Sequence, residues 1–141
     1  MTDKTRRVKT IGELLSTPEY FVSGIDSGII LLAGGMGGRK EEAAGAIRKM
    51  TGYPDAGEIR DIEGWERLLY DLSEEPVIAT IHANGIKHAI EQLARLPVRS
   101  MFLRRFRVII GVPNRFEHPD PVLYVLPDPF KSFKKKGKTE G

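Results

Sequence analysis

Three short segments of this chain carry side chains suited to handling a phosphate group. The first is Gly34-Gly35-Met36-Gly37-Gly38-Arg39-Lys40-Glu41, which follows an apolar run at 29–33 and opens a helix-forming stretch. A strand, a glycine-rich loop and a helix together aim backbone N–H groups at an anion, and a lysine at the loop's end adds positive charge. The candidate anion-binding residues are therefore Gly34, Gly35, Gly37, Gly38, Arg39 and Lys40. The phosphate-cradling pattern G-x-x-x-x-G-K-[ST] is broken twice, however. Arg39 stands where glycine belongs, and Glu41 replaces the hydroxyl that would ligate magnesium. The second segment is Gly57-Glu58-Ile59-Arg60-Asp61, and the third is Ala79-Thr80-Ile81-His82-Ala83-Asn84.

The elements that must position these groups follow from hydrophobic spacing. Ile29–Ala33 reads as a buried strand after the turn-like Asp26-Ser27-Gly28. A helix over Glu41–Met50 follows, acidic in its first turn and basic in its last, as the helix dipole favours. Residues 51–57 read as a turn. Ile62, Trp65, Leu68, Leu69 and Leu72 then mark an amphipathic helix, and Val77–Ile81 a second buried strand. Asn84 is placed to cap a helix over 85–95, and Val98–Phe106 reads as a short basic helix with Met101 and Phe102 inward. Two further strands, Arg107–Val112 and Val122–Leu126, pair as a hairpin across a Pro/Asn-rich loop. Upstream, residues 1–9 read as disordered. Thr10 and Glu13 form a capping box for a helix at 11–15 that ends at Thr17-Pro18. The alternation predicts an α/β fold in three layers.

Composition narrows the class. At 141 residues with 40% hydrophobic and 29% charged residues, the chain is sized for one ordinary soluble domain. No apolar run is long enough for a membrane span, and the N-terminus lacks a signal-peptide core. The absence of cysteine, with only three histidines, argues against a disulfide framework or a transition-metal site. A cytoplasmic location is the expectation. The formal charge of +3 resides in the tail, where Lys131, Lys134, Lys135, Lys136 and Lys138 face only Asp128 and Glu140.

The three segments in their order resemble the motor domain of the type II/type IV secretion and type IV pilus ATPases. That family carries a phosphate-binding loop, a G-E-[IM]-R-D segment and a histidine box close to [AG]-T-[IL]-H-[AT]-N. The resemblance runs from about Ile25 to Leu126 with gaps. It implies a reduced P-loop NTPase-like (RecA-like) sheet with flanking helices over 25–126, an N-terminal segment at 1–24 and a disordered basic tail at 127–141. It further implies ATP with Mg²⁺ as ligand, and Lys40 on the β- and γ-phosphates. Glu58 would polarise the attacking water, and His82 would sense the γ-phosphate. Without the resemblance, Lys40 is a solvated lysine at a helix start, Glu58 a turn residue and His82 a strand-end histidine bonded to backbone. His88 and His118 match no motif and read as surface residues.

Four departures set the chain apart from an active motor. Arg39 and Glu41 are two. The third is the interval of 17 residues between Lys40 and Glu58, too short for the family's extra strands, with no buried strand before Glu58. The fourth is the lack of the domain that closes over nucleotide in those motors. Phosphoryl transfer is mostly positioning and charge stabilisation, so motor-like hydrolysis is not expected. The favoured expectation is a non-hydrolysing or weakly nucleotide-binding accessory or regulatory module of a secretion, pilus or conjugation system. Its partner would be the motor, or further copies of this chain. A working ATPase is the second reading. The third is nucleic-acid binding through the lysine tail, Arg95, Arg99, Arg104, Arg105 and Arg107, with Phe130 and Phe133 interleaved as stacking platforms.

Overall fold

Strand β2 (Gly28–Gly34) is the spine of the structure, and all seven of its residues are buried. A strand covered on both faces reads as a continuous apolar run, and Ile29–Ala33 is one. The computed structural model describes residues 5–35, 39–113 and 123–131. Parallel neighbours flank β2 on both sides, β4 (Pro76–His82) on one and β5 (Phe106–Val112) on the other. Beyond β4 lies β3 (Asp55–Glu58), again parallel. Beyond β5 come β6 (Leu123–Pro127) and β1 (Arg6–Val8), each antiparallel to its neighbour. The six strands thus run in the order β1-β6-β5-β2-β4-β3.

Helices cover both faces, and alternation along each strand divides the core in two. Ile29, Leu31 and Ala33 face a cluster with Trp65, Leu68 and Leu69 of α3 (Ile62–Tyr70), Ala89 and Leu93 of α4 (Ile86–Ala94), and Leu103 of α5 (Ser100–Leu103). Ile30 and Leu32 face the other way, onto Leu14 of α1 (Ile11–Ser16) and Ala43, Ala44 and Ile47 of α2 (Arg39–Thr51). The expected mixed α/β architecture with helices on both faces is what forms.

Several local expectations are corrected. Arg6–Val8, read as disordered, pairs with β6 because Val8 is wholly buried in the second core and anchors an edge strand. Residues 55–57, read as the end of a turn, instead belong with Glu58 to a strand paired with β4. The helix expected to run to Leu72 gives way after Tyr70 to a 3-10 turn over Leu72–Glu74. The basic helix is only four residues long, and its Met101 points outward at 63% exposure while Leu103 takes the buried position. The cap at Thr10 holds, its hydroxyl accepting from the Glu13 N–H at 2.9 Å, but the reciprocal bond of a capping box is shifted by one residue: the Glu13 carboxylate accepts from the Lys9 N–H at 3.1 Å, not from that of Thr10. The hairpin of β5 and β6 also forms, its connection largely outside the described residues.

Candidate functional site

Parallel strands deliver their carboxyl ends to one edge of a sheet, and ligand sites in open α/β folds lie there, where consecutive connections depart in opposite directions. Here β2 is that point. Its chain leaves through α2 toward β3, whereas β4 returns through α4 and α5 to β5 on the other side. The carboxyl end of β2, the start of α2 and the ends of β3 and β4 therefore meet. Met36–Gly38, which include the candidates Gly37 and Gly38, lie outside the described residues.

Lys40 is the second residue of α2, and it is only 4% exposed. Its aliphatic stem lies over Gly34: a β-carbon at Gly34 would sit 3.3 Å from Lys40 Cβ and 3.1 Å from the Val112 carbonyl. The ammonium donates to the Gly35 carbonyl at 3.2 Å. It also lies 3.6 Å from Glu41 Oε2 and 3.9 Å from Glu58 Oε1. The second oxygen of Glu58 faces Arg60 Nε at 3.4 Å. Glu58 is thus a carboxylate shared between a buried and an exposed cation. Arg39, the other candidate anion ligand, pairs along its own helix with Glu42 at 3.9 Å.

A local device brings Glu58 to Lys40. The Asp55 carboxylate accepts from the Gly57 N–H at 2.8 Å, and Gly57 adopts φ +82°, a conformation costly for residues with a β-carbon. The pairing of β3 with β4 slips at this point, resuming with Glu58 opposite Thr80 and the Ile59 N–H on the Thr80 carbonyl. Bulges at sheet edges commonly re-aim a side chain, and this one does. None of the residues 55–58 is buried, as expected, but Glu58 has a strand beneath it, contrary to the expectation from the short interval. The last residue of the segment serves structure: Asp61 caps α3, its carboxylate accepting from the Gly64 N–H at 2.8 Å.

His82 ends β4 directly opposite Gly34 and is exposed. Side chains two apart on a strand share a face, so His82, Thr80 and Glu58 all project on the side that carries α2. The imidazole of His82 makes no hydrogen bond or ion pair among the described residues; its carbonyl accepts from Gln92 Nε2 at 3.2 Å. The structure therefore joins Lys40 to Glu58 and sets His82 on the same face without a bond to either. His88, read as a surface residue, instead accepts the Asn84 N–H on Nδ1 at 2.9 Å. The N-cap of α4 is Gly85, not Asn84, and no side chain caps it. His118 lies outside the described residues.

Thr80 and Gly57 are the site residues that motif reading passed over. Thr80 is 3% exposed and sits between Leu32 of β2 and Glu58 of β3. A hydroxyl two residues before His82 in an otherwise apolar strand was the available signal.

Between residues 39 and 60 three cations and three carboxylates pair with one another, so the site neutralises its own charge. In this arrangement an anion arriving at Lys40 would compete with two carboxylates. Lys40 already faces two carboxylates, and the Glu41 carboxylate turns to the lysine. Among the described residues no cluster of three or more His, Asp or Glu side chains is placed to hold a metal ion. No protein-family model matches the sequence, and none of the curated proteins is significantly similar to it.

Proposed function

We propose that this chain is a P-loop NTPase-like module, degenerate in its phosphate site, that acts as a non-hydrolysing accessory or regulatory component of a secretion, pilus or conjugation system. The observation that carries the first half is the environment of Lys40. A strand-loop-helix with its lysine at the helix start supports descent from a phosphate site. The 4% exposure of that lysine, with Glu58 at 3.9 Å and Glu41 at 3.6 Å, supports loss of the ligand. An entering phosphate would have to displace a carboxylate. The second half rests on the order of the three segments and on the motor family they resemble; the partner would be that motor or further copies of this chain.

Equilibrium binding of ATP and of inorganic phosphate, with and without Mg²⁺, tests the reading on wild type, Glu58→Gln and Lys40→Ala. The expected wild-type affinity is no tighter than millimolar, and Glu58→Gln strengthens anion binding by removing the competing charge. Tight ATP binding abolished by Lys40→Ala, with turnover abolished by Glu58→Gln, would instead establish a working ATPase. In that enzyme Lys40 would hold phosphate and Glu58 would orient water.

A further inference from the structure

Two of the five arginines between residues 95 and 107 are taken up by the fold. Arg105 donates to the Leu69 carbonyl at 2.6 Å and the Ser73 hydroxyl at 3.0 Å, and Arg107 to the carbonyl and hydroxyl of Ser27 at 3.0 and 3.2 Å. Phe130, read as a stacking platform, is 1% exposed and packs against Phe106. Phe133 and Lys134, Lys135, Lys136 and Lys138 lie outside the described residues. A better defined arrangement sits at the carboxyl end of β4, where the chain turns into α4.

Residues 83–85 make that turn, and hydrogen bonds tie it to two neighbours. The Ala83 N–H donates to the Gly34 carbonyl at 3.1 Å, on the strand end that carries Lys40. The Asn84 N–H donates to His88 Nδ1 at 2.9 Å. Gln92 Nε2 donates to the His82 carbonyl at 3.2 Å and lies 3.3 Å from His88 Nε2. His88 and Gln92 are one helical turn apart, so they reach the turn from the same side of α4. Gly85 has φ +97° and ψ 178°, a region open essentially to glycine alone, and no side chain caps α4 there. Hinges are a few such positions at the ends of elements.

The chemistry of the imidazole makes these ties depend on a proton. A ring nitrogen accepts only while it carries no hydrogen. With Nδ1 accepting from Asn84, the neutral ring has its proton on Nε2, and the Gln92 amide nitrogen is left to the His82 carbonyl. A second proton turns Nδ1 into a donor that faces the Asn84 N–H. Nε2–H becomes a charge-assisted donor at the same time and draws the Gln92 amide oxygen toward it, away from the His82 carbonyl. The cation would also stand at the third residue of α4, beside helix N–H groups that repel it.

No carboxylate pairs with the half-buried ring among the described residues. On its own helix Lys87 and Glu91 are exposed. Glu58 and the His82 side chain project from the other face of the sheet, and Asp61 is occupied by the cap of α3. Of the elements sharing this core, β2 carries no charged residue and β5 only Arg107, bound to Ser27. Helix α3 holds Glu63, Glu66 and Arg67 exposed, and Arg99 and Arg104 flank α5 beyond the far end of α4.

We propose that His88 is a pH-sensitive latch on the turn between β4 and α4. The neutral ring holds the turn through the Asn84 N–H, and protonation releases it about Gly85. Release loosens one wall of the Lys40 site, because Ala83 bonds Gly34 and the next carbonyl, that of Gly35, accepts from Lys40. The latch is independent of what Lys40 binds.

Nuclear magnetic resonance of the full ¹⁵N-labelled chain, titrated from alkaline to acid pH, tests it. Ring ¹⁵N–¹H correlations should place the His88 proton on Nε2 at the alkaline end. On acidification the Asn84 and Gly85 amide signals should move with the midpoint of the His88 ring. Protection of the Asn84 amide, corrected for intrinsic exchange at each pH, should fall about fivefold, as for one lost neutral hydrogen bond. His88→Gln keeps an acceptor that does not titrate, so it should abolish the response of Asn84 and leave that of the His82 ring. A proton on Nδ1 at alkaline pH, or an Asn84 signal that ignores the His88 midpoint, would overturn the latch, and both are read on wild type. An Asn84 response that persists in His88→Gln would overturn it equally.

Discussion

The pairing of Lys40 with Glu58 is open to a direct measurement by a double-mutant cycle of Lys40→Met and Glu58→Gln. At 3.9 Å the bare attraction is about 4 kcal/mol for an effective dielectric near 20 and about 1 kcal/mol in water. The Lys40 side chain is 4% exposed and that of Glu58 24%, so the site lies between these limits, and a coupling of about 2 kcal/mol is expected. Glu58→Gln alone should cost about 2 kcal/mol, because among the described residues the buried ammonium then keeps Glu41 and the Gly35 carbonyl. Lys40→Met alone should change stability by less than about 1 kcal/mol. It removes a desolvated charge and leaves Glu58 its pairing with Arg60. Once Lys40 is methionine, losing the Glu58 charge should matter little. The sole tryptophan, Trp65, is buried with its ring 5.9 Å from Phe106, so its fluorescence reports urea unfolding of all four proteins. Equal m-values would license the comparison. A coupling below about 0.5 kcal/mol, the range in which independent sites add, would refute the claim that Glu58 neutralises Lys40.

Two further substitutions separate structure from site. Gly28→Ala places a β-carbon 2.6 Å from Arg107 Cγ and 2.9 Å from the Arg105 carbonyl, at φ +108°. A loss above about 3 kcal/mol is expected, read as a fall in melting temperature on the order of 10 °C. Asp61→Ala should cost about 1 kcal/mol through the lost cap of α3. It should leave the Lys40–Glu58 coupling unchanged; a collapse of that coupling would give Asp61 a part in the site.

The central strands and their helices were legible because burial imposes a pattern. Gly28–Gly34 and Pro76–His82 are runs of apolar and β-branched residues, and α3 repeats its apolar positions at spacings of three and four. Strand β3 was not legible, since Asp55-Ala56-Gly57-Glu58 has turn composition and is a strand only through its partner β4. Strand β1 is similar: Arg6-Arg7-Val8 offers one buried side chain, and its pairing with residues more than a hundred positions away leaves no local trace. At the site, sequence order brought Lys40 and Glu58 onto one list. It carried no sign that they would face each other, because that depends on a positive φ at Gly57 and a slipped register. The arginines of residues 95–107 were indistinguishable in sequence, and only their partners sort Arg105 and Arg107 from the rest.

The surroundings of Lys40 bear on the proposed descent of this loop from a phosphate site. A lysine freed of its anion has an inexpensive option, which is to turn its flexible stem into water. This one stays buried over Gly34, and two carboxylates approach it. One of them, Glu41, stands where a metal-binding hydroxyl would be; the other is delivered by a bulge that needs glycine at position 57. In the proposed reading these substitutions are coupled. A carboxylate at 41 disfavours polyphosphate, and a lysine without polyphosphate needs a counter-charge if it is to remain inside. On that reading Glu58 serves the buried ammonium in place of a phosphate, and the counter-charge of Lys40 becomes part of the chain. On that account the effect of replacing Glu58 should depend on whether Lys40 is present: Glu58→Gln alone should harm the fold or reopen the site to anions, and in the Lys40→Met background it should do neither.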